Sequence, residues 1–452
     1  MGTNRSIFKF WIFSILSILI LSCQKGMLDE QNNEQKNLII NQYELSIDDA
    51  EIELLSALDA YFPQTKGEPK REIADRYSQG GVVRTKTGKE EQTPLVHIFN
   101  FKDDMGFAIM SGDCRFGPVL CITDKGSLKE GSQIDNPGFA GILSRMETNY
   151  RIKTGLPVYD EEGNPVVVRE PEIVRDLQDT SGNYVPPVTL EYGPWEIDET
   201  IGTKLTCHWD QESPFNNNLY VENGNHAYTG CTTIAVAQIM YHWGKNTTYN
   251  GTYFDWQIMR AVQNSWTGSS TARSMVAHLI EYLCAPENLD ADLGEVYNAE
   301  GTAVNRNDTP RTFENFGYSS GGAVQDYDYL TLKSSMGYGP ALGHGHAKKT
   351  ITSIFGITIS TSYSEGHSWV FDEIRINRRI VYRYIEDWLD YTYYQYQPLI
   401  HINWGWGGSC DGYFNTNCFN ANNPVTRSDT TTYGTDDYYQ YNLGMNCGIR
   451  AY

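Results

Sequence analysis

Apolar and polar positions predict a small folded unit near the start of the chain. Apolar residues at helical spacing predict a helix over residues 47–62, with acidic residues in its first turn and Pro63 after its end. A second helical pattern runs from Phe139 to about Tyr150. Apolar runs bounded by turn residues predict three strands, at 95–101, 106–110 and 119–123. These elements predict an α+β domain over residues 41–150, which contains no evident catalytic grouping.

The pattern changes after residue 150. Residues 151–195 carry six prolines among many acidic residues, so we expect an extended connector that proteases can reach. Residues 196–452 are predicted to form a second, larger domain.

The first residues are predicted to be a targeting segment. Arg5 and Lys9 precede an apolar run that ends at Leu21, which is short for a membrane-spanning helix of about 20 residues. Ser22-Cys23 directly after this run resembles a bacterial lipobox. We therefore expect a signal peptide over residues 1–22 and a flexible tether over 23–40. Lipid on Cys23 would anchor an exported protein to a periplasmic or cell-surface membrane face. The alternative is an ordinary secretory signal with an incidental cysteine.

Composition narrows the classes of protein. The chain has 452 residues, of which 40% are hydrophobic and 20% charged, values that exclude a disordered chain. Lys and Arg number 35 against 56 Asp and Glu, a formal net charge of −21 that argues against a nucleic-acid partner. The nine cysteines include no Cys-x-x-Cys pair, which makes a zinc knuckle improbable, and their disulfide pairing stays open.

The segment with the clearest chemistry begins at Cys231. Gly230 precedes it, and Ile234, Ala237 and Tyr241 then follow at the spacing of a buried helix face. A cysteine at a helix N-terminus has a lowered thiol pKa, and its backbone N–H can donate to an oxyanion. Alone, such a cysteine is more often a small core residue.

Candidate partners follow Cys231 at suitable positions. His367 lies 136 residues later, after a turn and at the start of a predicted short strand, where it could act as the base. The Asn403 amide could orient the imidazole, and Trp404 could shield that hydrogen bond from water. Gln211 could present its amide N–H₂ to the oxyanion.

These motifs resemble the streptopain family of papain-like bacterial cysteine peptidases. The matching blocks, in chain order, are Trp209-Asp210-Gln211, the Gly230-Cys231 helix, Gly366-His367-Ser368-Trp369-Val370, Asn403-Trp404-Gly405-Trp406-Gly407-Gly408 and Asp411-Gly412-Tyr413-Phe414. Residues 100–113 and 118–120 are similar to the family's propeptide. The resemblance implies a papain-like α+β domain preceded by an inhibitory prodomain.

The resemblance also implies a role for each site residue. Cys231 matches the nucleophile, His367 the general base and Gln211 the oxyanion-hole glutamine, while Asn403 and Trp404 match the residues that support the histidine. The chain departs from the family in two places. Asp372-Glu373 replaces the usual Asp-Gly, and a basic, tyrosine-rich insert spans about residues 375–397. We expect both departures beside the substrate cleft.

Other residue groups have less specific interpretations. His344-Gly345-His346 is predicted to be a polar loop that lines the cleft rather than a metal site, because no carboxylate or cysteine accompanies it. His226 is a rival base, although it lies only five residues before the nucleophile. The tyrosine run at 391–396 is predicted to be an exposed-edge strand or part of an insert.

The sequence therefore predicts a lipid-anchored, exported zymogen of a cysteine endopeptidase that needs no metal or organic cofactor. Its partners would be protein or peptide substrates, its own prodomain and a membrane. Two alternatives use the same cleft: an inactive peptide-binding relative, and an acyltransferase with the same cysteine and histidine. A third is that the first domain inhibits a different peptidase.

Overall fold

The computed structural model describes residues 44–62, 70–84, 90–113, 116–134, 136–154, 158–159, 165–166, 188–294, 302–346, 353–358, 366–385, 387–416 and 443–452. The predicted signal peptide, Cys23 and the tether lie outside these ranges, as does most of the connector. The domain boundaries that we placed at 150 and 195 therefore stay predictions. We call residues 41–150 the N-terminal domain and residues 196–452 the C-terminal domain.

Seven α-helices occur in the described residues: α1 (Ile47–Tyr61), α2 (Pro137–Thr154), α3 (Cys231–Trp243), α4 (Trp256–Met259), α5 (Ser270–Cys284), α6 (Thr309–Asn315) and α7 (Tyr329–Met336). The strands are β1 (Ile73–Arg84), β2 (Glu90–Phe101), β3 (Phe107–Ser111), β4 (Val119–Thr123), β5 (Val158–Tyr159), β6 (Pro165–Val166), β7 (Val188–Tyr192), β8 (Glu196–Gly202), β9 (Thr247–Tyr249), β10 (Thr252–Phe254), β11 (Ser320–Asp326), β12 (Ala341–His346), β13 (Ser353–Ile354), β14 (Ile357–Thr358), β15 (Gly366–Ile385), β16 (Trp388–Asn403), β17 (Gly412–Asn415) and β18 (Gly444–Arg450).

Helix α1 begins and ends close to its predicted bounds. The Ser46 hydroxyl accepts a hydrogen bond from the Asp49 backbone N–H, and acidic residues occupy the first turn. The three predicted strands of the N-terminal domain are β2, β3 and β4. Strands β3 and β4 are buried along their whole length, which explains why their sequences are continuously apolar. Strand β1 was not predicted, because its residues are mostly polar and include Gly80-Gly81.

One sheet runs through both domains. Within the described residues its order is β1-β2-β3-β4-β17-β16-β15-β12-β18-β11, and both β7 and β8 also pair with β15. The two domains join where β4 pairs antiparallel with β17, from Gly412 opposite Thr123 to Phe414 opposite Cys121. Residues of both domains consequently share one apolar core beneath this sheet, in which Phe139 of α2 contacts Phe414 of β17 edge-on.

A second apolar core surrounds helix α3. Residues 232–241 of this helix are all buried, so the helix is enclosed around its whole circumference rather than along one stripe. Trp209, Tyr241 and Trp256 pack together at its side. Gly244 ends the helix in the left-handed conformation, with φ of 56°. The first residue of α3, Cys231, thereby has a fixed position above a rigid core.

Two predictions about local structure were wrong. The short strand expected after His367 is the 20-residue strand β15, which pairs with β16 along almost its whole length. Together they form an extended hairpin that contains the insert and the exposed tyrosine run. His344-Gly345-His346 is part of strand β12 rather than a loop, because β12 pairs with both β15 and β18.

No helix in the described part of the chain has the length and apolar character needed to cross a membrane. Six cysteines lie in described residues, and five of them are free thiols: Cys121, Cys207, Cys231, Cys284 and Cys447.

Candidate active site

Cys231 is the first residue of helix α3. Gly230 caps the helix with φ of 81°, a conformation that residues with a side chain rarely adopt, and a β-carbon there would lie 3.0 Å from Thr302 Cγ2. The Cys231 side chain is partly exposed. At the start of a helix its backbone N–H has no intrahelical acceptor, so this group is available to a ligand.

The surroundings of Cys231 favour a thiolate. Burial opposes ionisation of the thiol, but the charge and hydrogen bond of His367 outweigh it and lower the Cys231 pKa to about 7. The Ser368 backbone N–H also donates to Cys231 Sγ at 3.3 Å. By contrast, burial raises the pKa of Cys121, Cys207 and Cys284. The pKa of Cys231 is thus shifted in the opposite direction from the pKa values of these three core cysteines.

His367 lies at the start of β15, opposite Gly345 of β12, and is buried. Its Nε2 is 3.3 Å from the Trp404 carbonyl oxygen. The indole rings of Trp369, Trp404 and Trp406 surround the imidazole, with ring centroids 6.1 to 6.5 Å from its own. Ser368 fixes the strand against helix α3, since its hydroxyl lies 2.9 Å from that of Thr232. The structure therefore brings the predicted histidine to the predicted cysteine.

Asn403 does not hydrogen bond to His367 in this structure. Its Nδ2 donates to the Cys207 carbonyl at 2.8 Å, and its Oδ1 accepts from Gln238 Nε2 at 2.8 Å and from the Gly405 N–H. Gln238, on α3, fixes the amide in this direction. Trp404 is fully buried and covers one side of His367.

Gln211 is buried, and neither polar atom of its side chain has a hydrogen-bond partner among the described residues. Its backbone carbonyl accepts from the Thr229 N–H at 3.1 Å, which connects Gln211 to the loop immediately before Cys231. Leaving a buried amide unpaired costs about 1–3 kcal/mol, so such groups need an explanation, and a ligand oxygen is one.

The N-terminal domain contacts this site directly. A β-carbon at Gly138, near the start of α2, would lie 2.5 Å from Trp404 Cε3 and even closer to His367 Cδ2. Asn136 donates from Nδ2 to the Ser409 carbonyl at 3.1 Å, and Lys125 donates to the Gly407 carbonyl. The N-terminal domain therefore packs against the histidine and against the glycine-rich loop beside it. No sequence pattern had indicated these contacts.

A buried ionic network connects the two domains near β17. His401 lies between two carboxylates, with Nδ1 2.6 Å from Asp372 and Nε2 2.9 Å from Asp124 of the N-terminal domain. Burial alone would lower the His401 pKa and Lys204 opposes its charge, but the two carboxylates raise the pKa to about 9. Asp124 also pairs with Lys204 and lies 3.7 Å from Arg71. His401 is therefore a cation at neutral pH.

Two further histidines, His226 and His344, were candidates; His344 lies opposite Ser368, one position from His367. His226 is stacked on Tyr220, with ring centroids 4.5 Å apart, and its Nδ1 contacts the Asn216 carbonyl. His344 is buried in β12, which lowers its pKa to about 3. Within the residues that the structure describes, no group of three or more His, Cys, Asp or Glu side chains could bind a metal ion.

Comparison with known proteins agrees with this arrangement. Residues 209–414 match the Peptidase C10 family, and residues 54–149 match the Spi protease inhibitor family. The thiol protease/hemagglutinin PrtT of Porphyromonas gingivalis is 25% identical over 359 residues, which are 77% of this chain and 36% of that protein. Streptopain of Streptococcus pyogenes is 24% identical over 359 residues, 74% of this chain and 76% of the relative.

Among solved structures, a prointerpain A fragment from Prevotella intermedia aligns with a TM-score of 0.46 at 17% identity, covering 84% of this chain and 99% of that one. The family matches, rather than this alignment, identify the chain. The larger domain therefore belongs to the Peptidase C10 family, and the domain before it is of the protease-inhibitor type. These are the two parts of the streptopain family that the sequence motifs predicted. The chain spans about a third of the length of PrtT. We now call the N-terminal domain the prodomain and the C-terminal domain the peptidase domain.

Proposed function

We propose that the chain is an exported zymogen of a cysteine endopeptidase that hydrolyses peptide bonds through Cys231 and His367. The observation that carries this proposal is the Cys231 thiol at a helix start, with its pKa lowered to about 7 beside His367. The thiolate attacks the scissile carbonyl carbon and forms a tetrahedral intermediate. His367 then protonates the leaving amine, and the acyl-enzyme forms. Water, deprotonated by His367, hydrolyses the thioester and regenerates the thiol.

We assign the oxyanion hole to Gln211 Nε2 and the Cys231 backbone N–H. The unpaired, buried amide of Gln211 and the free first N–H of α3 support this assignment. Gln211→Ala is expected to lower kcat about 10²–10³-fold, the usual effect of removing one oxyanion donor. The test is steady-state kinetics on a peptide substrate. Labelling of Cys231 by a simple alkylating agent, which develops no oxyanion, serves as the control and is expected to be unaffected. An unchanged kcat would contradict the assignment.

The prodomain is proposed to hold this precursor inactive. Gly138 packs against His367 and Trp404, where a substrate would lie, and the Asn403 amide is engaged by Gln238 and Cys207 instead of His367. We propose that cleavage in the connector releases the prodomain and lets Asn403 orient the imidazole. Inhibition needs little intrinsic affinity while the two domains are connected, because a tether gives an effective concentration of about millimolar.

The decisive experiment is active-site titration with an epoxide-type thiol inhibitor, followed by mass mapping of the labelled cysteine. We expect label on Cys231 and loss of hydrolysis in step with labelling. Cys231→Ala should abolish hydrolysis with the fold intact, and His367→Ala should lose nearly all activity. His226→Ala is the matched control and should stay active. Substantial turnover by folded Cys231→Ala protein would refute the mechanism, and a reversed result for the two histidines would refute the choice of base.

Two other outcomes are distinguishable. An acyltransferase would transfer the acyl group to an added amine in preference to water, so product analysis with and without the amine separates it from a hydrolase. An inactive peptide-binding relative would bind peptides without turnover after removal of the prodomain.

We also propose that the protein is a lipoprotein anchored through Cys23, on the basis of the apolar run and Ser22-Cys23 alone. Cys23→Ser is expected to move the protein from the membrane fraction to the soluble fraction. Detergent partitioning of both forms is the measurement. Wild-type protein that remains in the aqueous phase would leave only a secretory signal.

A further inference from the structure

The extended hairpin of β15 and β16 carries a site at some distance from the catalytic residues. Arg379, at the centre of this site, lies twelve residues along β15 from His367, up to about 40 Å at the rise of an extended strand. It belongs to the insert at 375–397, which we expected beside the substrate cleft. The base of this insert instead contacts helix α1 of the prodomain: Tyr61 donates to the Gln397 carbonyl at 3.2 Å, and Arg375 donates to the Tyr61 carbonyl.

A buried ion pair lies at the centre of this contact. Nη1 of Arg379 is 2.7 and 2.8 Å from the two carboxylate oxygens of Glu53, which projects from α1. Only 5% of Arg379 and 6% of Glu53 is exposed. The indole N–H of Trp195 donates to the same carboxylate at 3.2 Å. Two charges buried away from water stabilise a contact only when they pair as closely as these two do. If one of the side chains is removed, the remaining buried charge is destabilising.

The peptidase domain and the strand before it build a specific environment for this carboxylate. The Arg379 guanidinium lies 4.0 Å from the ring centre of Tyr192 and 4.4 Å from that of Trp195, so two aromatic rings flank the cation. Its Nε donates to Gln395 Oε1 at 2.7 Å, which fixes the plane of the guanidinium. Every residue of this environment lies at position 192 or later. A cut in the connector before β7 therefore leaves the whole environment on the peptidase and removes only Glu53.

The charged side chains of the two surfaces differ in how they are paired. Helix α1 contains five carboxylates and no lysine or arginine. Of the four arginines of β15 from residue 375 onward, Arg375, Arg378 and Arg383 form ion pairs with carboxylates of the peptidase domain, whereas Arg379 pairs with Glu53 of α1. A helix without an acidic residue opposite Arg379 would leave a buried cation unpaired, which disfavours other partners.

We propose that Arg379, Tyr192, Trp195 and Gln395 form a carboxylate-binding exosite that recognises Glu53 of the chain's own prodomain. This inference rests on the proposed zymogen organisation. It adds a second contact between prodomain and peptidase domain, independent of the contacts at His367. The exosite, rather than the catalytic cleft, selects which prodomain the peptidase binds.

The test uses the full-length Cys231→Ala precursor with a cleavage sequence for an unrelated, site-specific protease placed within residues 171–180. After cleavage, dilution followed by size-exclusion chromatography gives the dissociation constant of the two fragments. Glu53→Gln is expected to raise that constant roughly a hundredfold or more. Glu51→Gln is the matched control, because Glu51 lies on the same helix but pairs with Arg76 inside the prodomain. It should leave the constant within about threefold of wild type.

A double-mutant cycle identifies the partner. Glu53→Gln combined with Arg379→Gln should dissociate no more readily than the weaker-binding single variant, because the two side chains act as one pair. If the Glu53→Gln precursor fails to fold, Arg379→Lys is tested in the same assay. A higher dissociation constant of its two fragments supports the exosite, and an unchanged constant overturns it. Equal dissociation of the Glu53→Gln and Glu51→Gln fragments, or additive effects in the cycle, would also overturn it. No step needs catalysis by this protein, so an inactive wild-type enzyme would refute the proposed function without affecting this result.

Discussion

Gly138 offers a direct way to weaken inhibition from inside the prodomain. A β-carbon at this position would lie 2.5 Å from Trp404 Cε3, whereas carbon atoms in contact are normally about 3.5–4.0 Å apart. The prodomain or the aromatic rings would have to move by about 1 Å. Glycine has low helix propensity, so a side chain by itself would favour α2 by up to about 1 kcal/mol. Overpacking against two rigid rings costs about 1–3 kcal/mol and acts in the opposite direction.

For Gly138→Val we expect the overpacking cost to exceed any gain in helix formation, because a branched side chain extends further into the rings. Overpacking at the upper end of that range, less a helix gain of up to about 1 kcal/mol, leaves a net loss of about 2 kcal/mol, which corresponds to a roughly 30-fold larger fraction of precursor with an open site. The assay is the rate at which a peptidyl epoxide labels Cys231 in uncut precursor, with the product identified by mass. Gly141→Ala, on the same helix at a partly exposed position, is the control. Equal labelling rates for the two variants would refute the view that Gly138 blocks the site.

Two further predictions concern pH. Because His367 holds the Cys231 pKa at about 7, alkylation of Cys231 in the precursor should accelerate as the pH rises through about 7. In His367→Ala the same transition should move to higher pH, and iodoacetamide labelling measures both. A transition at the same pH in both proteins would contradict the conclusion that His367 lowers the Cys231 pKa. His401 has its pKa raised from 6.5 to about 9, so its contribution of roughly 3 kcal/mol to stability is complete below pH 6.5 and is lost as the pH rises through 9. The melting temperature of the Cys231→Ala precursor should therefore fall as the pH rises from 6.5 to above 9. The fall should be smaller in the same precursor with Asp124→Asn. An equal fall in both proteins would show that the pairing of His401 with Asp124 does not contribute to stability.

The parts of the site that sequence predicted are those with a local signal. Gly230-Cys231 followed by apolar residues at helical spacing predicts a helix start, and the structure begins α3 at Cys231. His367 stands directly after a glycine and at the start of a strand, as expected. Helix α1 likewise has its own cap and acidic first turn, so its bounds followed from nearby residues.

Features that depend on distant residues were missed. The length of β15 follows from its pairing with β16 and β8, which no alternation of its own residues indicates. The direction of the Asn403 amide depends on Gln238, 165 residues earlier in the chain. Its other partner, the Cys207 carbonyl, is 196 residues earlier, so only the packed domain brings these groups together. The contact of Gly138 with His367 similarly joins residues for which sequence spacing carries no information.

The pairing of β4 with β17 has a consequence for the enzyme once the prodomain has left. Among the strands that the structure describes, β17 would then be the edge of the peptidase sheet, with the backbone N–H and C=O groups that had paired with β4 facing outward from Gly412 to Phe414. Exposed edges of this kind act as templates for a further strand, whether from a substrate, a second molecule or an aggregate. On the proposed zymogen organisation, the prodomain would cover this edge until cleavage, and its release would expose the edge together with the active site.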